Sequence, residues 1–589
     1  MKIEYPKTFK IREHNVDLCV VGGGMTGICA AISAARHGAD VVLMHDRPVL
    51  GGNSSSECRM HICGADRSGS LPHLRETGIL EELRLLNVFY NPRKNFSLWD
   101  LILYETVMRE QRITLLLNCS CNSAETEGKF IKSISGWQTT TQMVHRVNAR
   151  IFADCSGDSI LAPLTGAPFR TGRESRKEFN ESIAPENADK KTMGLTCMFQ
   201  ARPTNKKVSF HPPSWIYRFN DCSQLPYGAK GHQYWDMGYW WIELGGEIDT
   251  IHDTEALRHE LLRITLGVWD HIKNSGHHPD SANWEIEWLQ FLPAKRESRR
   301  YIGAYILTQN DIQNGGKFSD TVAYGGWPMD DHDPAGFFST MLGRPATIFH
   351  PAHSPYGIPY RILYSPFIKN LMFAGRNASC THTAMSSTRV MGTCAVMGQA
   401  VGTAAAIACK KNILPADIQK NIKELQQILL NDDCYLPNIK KEIPAITKKA
   451  RLSATHGNPQ PLRDGITRQI GNNAHCWYAK MGGNASYTFA KEEFISGIEL
   501  VLDTGMDKTI SSIFANGYPK ELYFPPEMPR AFRIEIKKNG KWSGFYQCTS
   551  NIARLVKIHV HRKCEGVRFI LDKTWGKAEI SRVYEFILK

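Results

Sequence analysis

Two histidines, one arginine cluster and one cysteine pair carry side chains suited to chemistry. His382 sits in Thr381-His382-Thr383-Ala384-Met385-Ser386-Ser387-Thr388-Arg389, and His332 sits in the turn-rich stretch Gly325–Pro334 among Asp330, Asp331 and Asp333. Imidazole titrates near neutral pH, so either ring is suited to taking the proton of a substrate hydroxyl. For His332, Asp331 or Asp333 is expected to orient the ring. Three neighbouring acids with one histidine match no standard ligand set, so no metal is expected there. Lys295-Arg296-Glu297-Ser298-Arg299-Arg300 runs into the apolar Tyr301–Tyr305. Guanidinium is always charged and forked, so Arg296 and Arg299 are expected to orient a substrate; an internal ion-pair network with Glu297 is the competing reading. Cys58 and Cys63 have the Cys-x-x-x-x-Cys spacing of a redox dithiol.

These residues need a scaffold, and the stretch Val16–Asn53 supplies its centre. Val16–Val21 is an apolar strand, Gly22-Gly23-Gly24-Met25-Thr26-Gly27 is a Gly-x-Gly-x-x-Gly turn, and a small-residue helix follows to His37. A second strand, Val41–Met44, leads into His45-Asp46-Arg47. Gly22 permits the tight turn, Gly24 lets a pyrophosphate approach the backbone, and Gly27 lets helix and strand pack. Met25 and Thr26 open the helix, whose free N–H groups and positive dipole end suit phosphate. The ribose-binding acid of this pattern is replaced at the expected register by His45, with Asp46 next; either can accept a hydrogen bond.

After the second strand comes Leu50-Gly51-Gly52-Asn53-Ser54-Ser55-Ser56-Glu57. Here the chain resembles FAD-dependent oxidoreductases of the two-dinucleotide-binding type, related to the flavin subunit of heterodisulfide reductases. In these a Gly-Gly turn runs along the cofactor. The resemblance recurs at Ile151–Asp158, which ends in Gly157-Asp158, and at Asn370–Asn377, which holds Gly375-Arg376 and leads into the small-residue segment Ser386–Cys409 with Gly392, Gly398 and Gly402. It implies FAD as cofactor, a last helix aimed at the flavin, and His382 beside the ring as the first choice of base. It also implies that Ser55, Ser56, Glu57, Arg59 and His61 lie near the flavin edge. In flavin disulfide reductases the first cysteine follows the Gly-Gly turn almost at once; here Cys58 comes about a helical turn later, and no second nucleotide motif is visible. No Cys-x-x-Cys-x-x-Cys run occurs, so no iron–sulfur cluster is expected.

The expected class is α/β: a Rossmann-type FAD-binding domain, an inserted α+β substrate domain and a C-terminal β-sandwich. The boundaries are 1–159 and 361–431 for the FAD domain, 160–360 for the cap, 432–449 for a polar linker, and 450–589 for the sandwich. Leu74–Val88, Leu98–Gln111 and Ala416–Leu430 read as helices; Ile113–Leu117, Phe130–Trp137 and Gln142–Ala153 read as strands. The cap is rich in aromatics, including Tyr234-Trp235, Tyr239-Trp240-Trp241 and Trp284 to Trp288, with a strand expected at Tyr239–Leu244. Core packing is their first expectation, and stacking on sugar faces the second. In the last region, Ala485–Phe489, Ile495–Leu502, Arg533–Lys537, Val556–Val560 and Gly566–Leu571 alternate like sandwich strands. Leu462-Arg463-Asp464-Gly465, Trp477, Tyr487-Thr488-Phe489 and Arg582-Val583-Tyr584-Glu585 resemble the discoidin-type, galactose-binding-like fold, which implies a carbohydrate setting.

Composition is ordinary: 589 residues, 42% hydrophobic, 22% charged, with a net charge of +13. No apolar run approaches a bilayer span, no nucleic-acid motif occurs, and Met1–Asn15 has no apolar h-region, so a cytoplasmic protein is expected. The sixteen cysteines are scattered, which suggests reduced buried thiols. An oligomer is compatible with all of this. The expected reaction is oxidation of a secondary hydroxyl of a sugar or glycoside by hydride transfer to flavin N5, with the electron acceptor unknown. Three alternatives stand: a fumarate-reductase-like reductase of an activated double bond, a dithiol reductase using Cys58 and Cys63, and a glycan-binding protein with a non-catalytic flavin domain.

Overall fold

A computed structural model describes residues 9–228, 232, 235, 236, 238, 241–510 and 520–589. The aromatics Tyr234, Tyr239 and Trp240 and the N-terminal residues 1–8 lie outside these. The first sheet uses β1 (Lys10–Val21), β2 (Val41–Met44), β3 (Ile113–Leu116), β4 (Cys119–Glu127), β5 (Phe130–Gln138) and β6 (Met143–Asp154) in the order β3-β2-β1-β6-β5-β4. β1, β2, β3 and β6 pair in parallel, and β4–β5–β6 form an antiparallel meander. The strand Leu371–Phe373 pairs in parallel with Phe152–Asp154, beyond the end of the meander. The carboxyl ends of β1, β6 and Leu371–Phe373 therefore meet at one edge, where open parallel sheets bind ligands.

Two helices cover this sheet. α1 (Met25–Arg36) is buried from Met25 to Ala35. The helix Met391–Lys411 packs across it so closely that a Cβ at Gly398 would lie 2.1 Å from the Thr26 carbonyl oxygen. Close approach explains the small residues: larger ones would push the helices apart. Met391–Lys411 is also apolar and long enough to cross a membrane, contrary to the expectation from the sequence, but its residues from Gly392 to Cys409 are buried in the protein and it serves as a core helix. The expected segment Ser386–Cys409 is two helices, His382–Thr388 and Met391–Lys411, joined by Arg389-Val390.

The cap contains the helix Thr254–Asn274 and small sheets, one of which pairs Leu195–Thr196 with Glu243–Leu244 and Ala294–Lys295. Trp235, Trp269, Phe199 and Phe219 are buried around this helix. Trp241, Trp284 and Trp288 are partly buried against the same cluster, so core packing accounts for part of the described aromatic content.

The C-terminal region is a β-sandwich whose described strands pair antiparallel. Ala485–Phe489 and Ile495–Leu502 are halves of one strand, Asn484–Leu502, and Val556–Val560 and Gly566–Leu571 are halves of another, Leu555–Thr574. Register shifts between Thr488 and Glu493 and between Ile495 and Gly497 divide the pairing, as bulges do when a strand bends from one layer to the other. Tyr487, Ile498, Phe532, Phe569 and Phe586 fill the space between the layers.

The stretch expected as a linker is anchored. Asp433 is buried against Arg554 at 2.8 Å, and Lys441 is buried between Glu499 and Glu585. Arg75, fully buried, pairs with Glu81 at 2.8 Å and donates to the carbonyls of Thr504, Gly505 and Lys508. Arg468 reaches the other way, to the carbonyls of His73 and Arg75 and the hydroxyl of Thr77. The sandwich is therefore fixed to the first domain by buried, hydrogen-bonded charges, whose loss on one side would strand the other.

Candidate active site

The glycine turn is built by two loops in backbone contact. Gly22 has φ +104°, and a Cβ there would lie 2.4 Å from the Cys155 carbonyl oxygen. The Gly51 N–H donates to the Gly23 carbonyl at 2.9 Å, and a Cβ on Gly52 would meet Gly24 Cα at 3.1 Å. His45 braces this arrangement. Its Nδ1 accepts from the Gly23 N–H at 3.0 Å, and its Nε2 lies 3.0 Å from the Val49 carbonyl. That pattern fixes the neutral tautomer with the proton on Nε2, and burial pushes the ring's pKa down to about 4. Both nitrogens are thus engaged inside the protein. The exposed carboxylate next to it, Asp46, remains open to the cavity.

A single cavity of about 970 Å³ opens from this turn. Gly22, Gly24, Met25, Thr26, His45, Asp46, Arg47, Gly51, Gly52 and Asn53 line it, and so do Gly157, Asp158 and Arg376. Gly27, Ser56, Gly375 and Gly398 do not. Gly27 and Gly398 serve packing instead: a Cβ at Gly27 would lie 1.8 Å from the Gly22 carbonyl oxygen. Gly375, at φ +80°, backs onto Thr26, and the Ser56 N–H donates to Asp100. Val390, Met391 and Cys394 line the cavity, so the helix Met391–Lys411 presents its N-terminal end there.

Asp154 fixes the return turn. Buried, it accepts from Ser156, Leu161, Tyr301 and Asn377. Asp158 accepts from Lys295 Nζ at 2.6 Å and Ser298 Oγ at 2.8 Å, with Arg376 at 3.6 Å. Burial opposes its charge, but Lys295 and Arg376 outweigh burial and hold its pKa below the usual carboxylate range.

The residues fit a dinucleotide. A Cβ on Gly24 would meet only Gly52 Cα, at 3.9 Å, so its open side faces the cavity. Arg376 Nη1 is buried without a hydrogen-bond partner. An orphaned guanidinium N–H beside a glycine cradle and a helix N-terminus suits phosphate oxygens.

Of the expected catalytic groups, His332 and Arg296 line the cavity; His382 and Arg299 do not. His332 Nδ1 lies 2.6 Å from Glu243 Oε2, and its Nε2 lies 3.3 Å from Asp330 Oδ1. Glu243 and Asp330 hold the ring, in place of the expected Asp331 or Asp333. Burial alone would lower the pKa of His332, but the two carboxylates outweigh it and raise it above the ordinary 6.5. Arg296 Nη1 donates to Thr196 at 2.6 Å and lies 3.3 Å from Glu243; Arg389 binds Asp330 at 3.1 Å. Arg299 lies over the Phe169 ring, 5.4 Å from its centroid.

His382 is buried between Glu297 at 2.8 Å and Asp331 at 3.1 Å. Burial disfavours its charge, yet the carboxylates raise its pKa to about 10. Glu297 also binds the buried Arg300, so the arginine-rich segment in part forms an internal ion network. Asp333 pairs with Arg344.

The cysteines diverge. Cys63 lines the cavity with its Sγ 3.0 Å from His61 Nε2, whereas Cys58 is buried off it and faces the Leu292 carbonyl. Burial raises their thiol pKa values to about 12 and about 11. Neither is poised as a thiolate. Of the other loop residues, His61 lines the cavity, while Ser55, Glu57 and Arg59 do not.

Among the residues of the site with no expected role in the sequence are Glu243, Trp327 and Arg389. Trp327 and Arg389 lie in stretches that stand out, but Glu243 is a lone acid in an aromatic run.

Several solved structures show a weak likeness to parts of this chain. A geranylgeranyl bacteriochlorophyll reductase-like protein from Thermoplasma acidophilum is 13% identical, over 72% of this chain and 86% of its own, with a TM-score of 0.31. A p-nitrophenol 4-monooxygenase from Pseudomonas putida is 10% identical, over 71% and 86%, with a TM-score of 0.32. A family 32 carbohydrate-binding module from Streptococcus pneumoniae is 13% identical, over 24% and 97%, with a TM-score of 0.20. Likeness at this distance says nothing about activity. No curated protein matches the chain. The family model for FAD dependent oxidoreductase matches residues 17–429, well over half of the chain. Its cofactor is FAD, and the chain belongs to the FAD dependent oxidoreductase family.

Proposed function

We propose that this oxidoreductase oxidises a secondary hydroxyl of a sugar or glycoside, with His332 as the proton acceptor. The observation that carries the reading is the placement of His332, an imidazole on the wall of the cavity that begins at the glycine turn, held by Glu243 at 2.6 Å. FAD supplies the hydride acceptor at N5. Neutral His332 keeps Nδ1–H on Glu243 and takes the hydroxyl proton at Nε2, where Asp330 stabilises the imidazolium that results. In this reading His382, charged and closed off, is a positioning residue that holds Asp331 and Glu297.

The cavity walls favour a polyhydroxyl substrate. Tyr227, Trp241, Trp327 and Phe349 line the cavity, and aromatic rings suit the apolar faces of sugars. The Trp327 indole N–H and the Arg389 Nε are buried without partners, so an oxygen-rich ligand would satisfy them. A fumarate-reductase-like reading calls on the arginine cluster at 296–300 to bind a carboxylate, but Arg299 and Arg300 do not line the cavity and Arg296 lies against Glu243. Asp46 is assigned to the ribose hydroxyls, because His45 has both nitrogens engaged.

Anaerobic titration of the yellow holoprotein with a panel of glycosides tests the reading. Bleaching by a glycoside, lost in His332→Ala with flavin retained, is expected. No bleaching by any glycoside, with rapid reoxidation of the photoreduced protein by an enoate, would overturn it in favour of the reductase.

A further inference from the structure

A second cluster of reactive side chains lies in the cap. Cys222, His232, His271 and His278 bring one ligand atom each to within 4.8 Å of one another. Cys222 opens the short turn Cys222–Gln224, and His271 lies in the last turn of the helix Thr254–Asn274. His278 precedes the turn Pro279–Asn283. None of the four lines the flavin cavity.

The distances resemble the edges of a coordination tetrahedron. Cys222 Sγ lies 3.4 Å from His271 Nε2 and 3.7 Å from His278 Nε2, and His232 Nε2 lies 3.0 Å from His278 Nε2. Zinc bound at about 2.3 Å from sulfur and about 2.0 Å from nitrogen would give edges of about 3.5 Å and about 3.3 Å. A hydrogen-bonded cluster explains this less well. The Nδ1 of His271 lies 2.9 Å from the Phe219 carbonyl, which makes it the N–H and leaves Nε2 as a lone pair aimed at the cluster. That backbone contact is the usual support for a metal-binding imidazole. His232 and His271 are buried, while Cys222 and His278 are partly exposed, so an ion has a way in.

We propose that Cys222, His232, His271 and His278 bind one zinc ion in a closed, structural, tetrahedral site. Four protein ligands leave no open position for substrate, and the thiolate-plus-imidazole set suits zinc over calcium or magnesium. The ion ties Cys222 and His232 to the cap helix. Tyr227 and Trp241, which flank His232 in the sequence, line the flavin cavity and lie 5.5 Å apart, centroid to centroid. The site would thus hold one wall of that cavity in place.

Elemental analysis of the full-length, tag-free holoprotein, purified without chelator, tests this. About one zinc per chain is expected, with at least a tenfold loss in Cys222→Ser at unchanged flavin content. If that variant does not fold, an organomercurial added to the folded wild type should release the zinc into a colorimetric indicator. A cobalt-substituted sample should show tetrahedral ligand-field bands and a thiolate-to-cobalt charge-transfer band. Less than about a tenth of an equivalent of zinc, with no uptake on incubation with zinc, would overturn the proposal. So would full zinc occupancy in both Cys222→Ser and His271→Ala, or a stoichiometric metal other than zinc.

Discussion

Nδ1 of His332 and Oε2 of Glu243 lie 2.6 Å apart, although 89 residues separate them in the chain. Glu243 reaches the site from the small cap sheet and His332 from the strand Met329–His332. Glu243 also meets Arg296 and accepts from the Gly194 N–H, so it is fixed before it orients the ring. Replacing it should affect catalysis through His332. In Glu243→Gln, the pKa of His332 should fall towards its ordinary value. Bleaching by glycoside should slow about 10- to 100-fold, less than the loss of the base itself because His332 remains without its orienting carboxylate, with flavin still bound. Stopped-flow reduction under anaerobic conditions measures this.

The cradle is tested at Gly24. Its backbone is extended, and its missing Cβ faces only Gly52 Cα at 3.9 Å, so a side chain fits the fold and blocks the ligand. Gly24→Val should lower flavin affinity at least tenfold, about 1.4 kcal/mol, with little change in the melting temperature of the flavin-free protein. Gly27→Ala should fail to fold, because its Cβ would lie 1.8 Å from the Gly22 carbonyl oxygen.

His382 contributes to stability with a definite pH signature. Its pKa is about 10 in the folded protein against an ordinary 6.5, raised by Glu297 and Asp331 against the effect of burial. A raised pKa means that this contribution is complete below the ordinary value and is lost as pH rises through the folded one. Urea midpoints of the wild type should therefore fall between about pH 6.5 and about pH 10 more steeply than those of His382→Gln. Anaerobic bleaching in that variant should persist, since His382 does not line the cavity.

The joint with the sandwich is tested at Arg75 and Glu81. Arg75→Ala strands a buried carboxylate and should cost about 3–5 kcal/mol, read from chemical denaturation. Burial opposes the charge on Glu81, but Arg75 brings its pKa down to about 2. The pair's contribution should thus be present above the ordinary carboxylate pKa of 4.5 and be lost as pH falls towards about 2.

Local patterns were legible in the sequence. Glycine spacing, apolar strands and small-residue runs are short-range features, so the turn at Gly22–Gly27 and the return turn at Gly157-Asp158 could be read directly. The small-residue segment Ser386–Cys409 could be read, but not its division into His382–Thr388 and Met391–Lys411. Gly24 and Gly27 show the limit: one motif glycine opens onto the cavity and the other packs against the Gly22 carbonyl, and only the packing tells them apart. The proposed base differs from the first expectation, His382, for a similar reason. Residue type gives His382 and His332 equal standing, but burial between Glu297 and Asp331 closes one and leaves the other on the cavity wall. Glu243 and the cluster of Cys222, His232, His271 and His278 come together from distant positions with no regular spacing; the neighbouring His271, His277 and His278 were the one local hint. The long sandwich strands read as pairs of short ones because bulges interrupt their alternation.

The most direct test follows the rate of anaerobic flavin bleaching by an active glycoside across pH in the wild type and in His332→Gln. The rate in the wild type should rise with pH through an inflection above 6.5, because the neutral imidazole is the acceptor and its pKa is raised. The variant should be slow and lack that inflection. A variant that bleaches at the rate of the wild type with the same inflection would contradict the role assigned to His332.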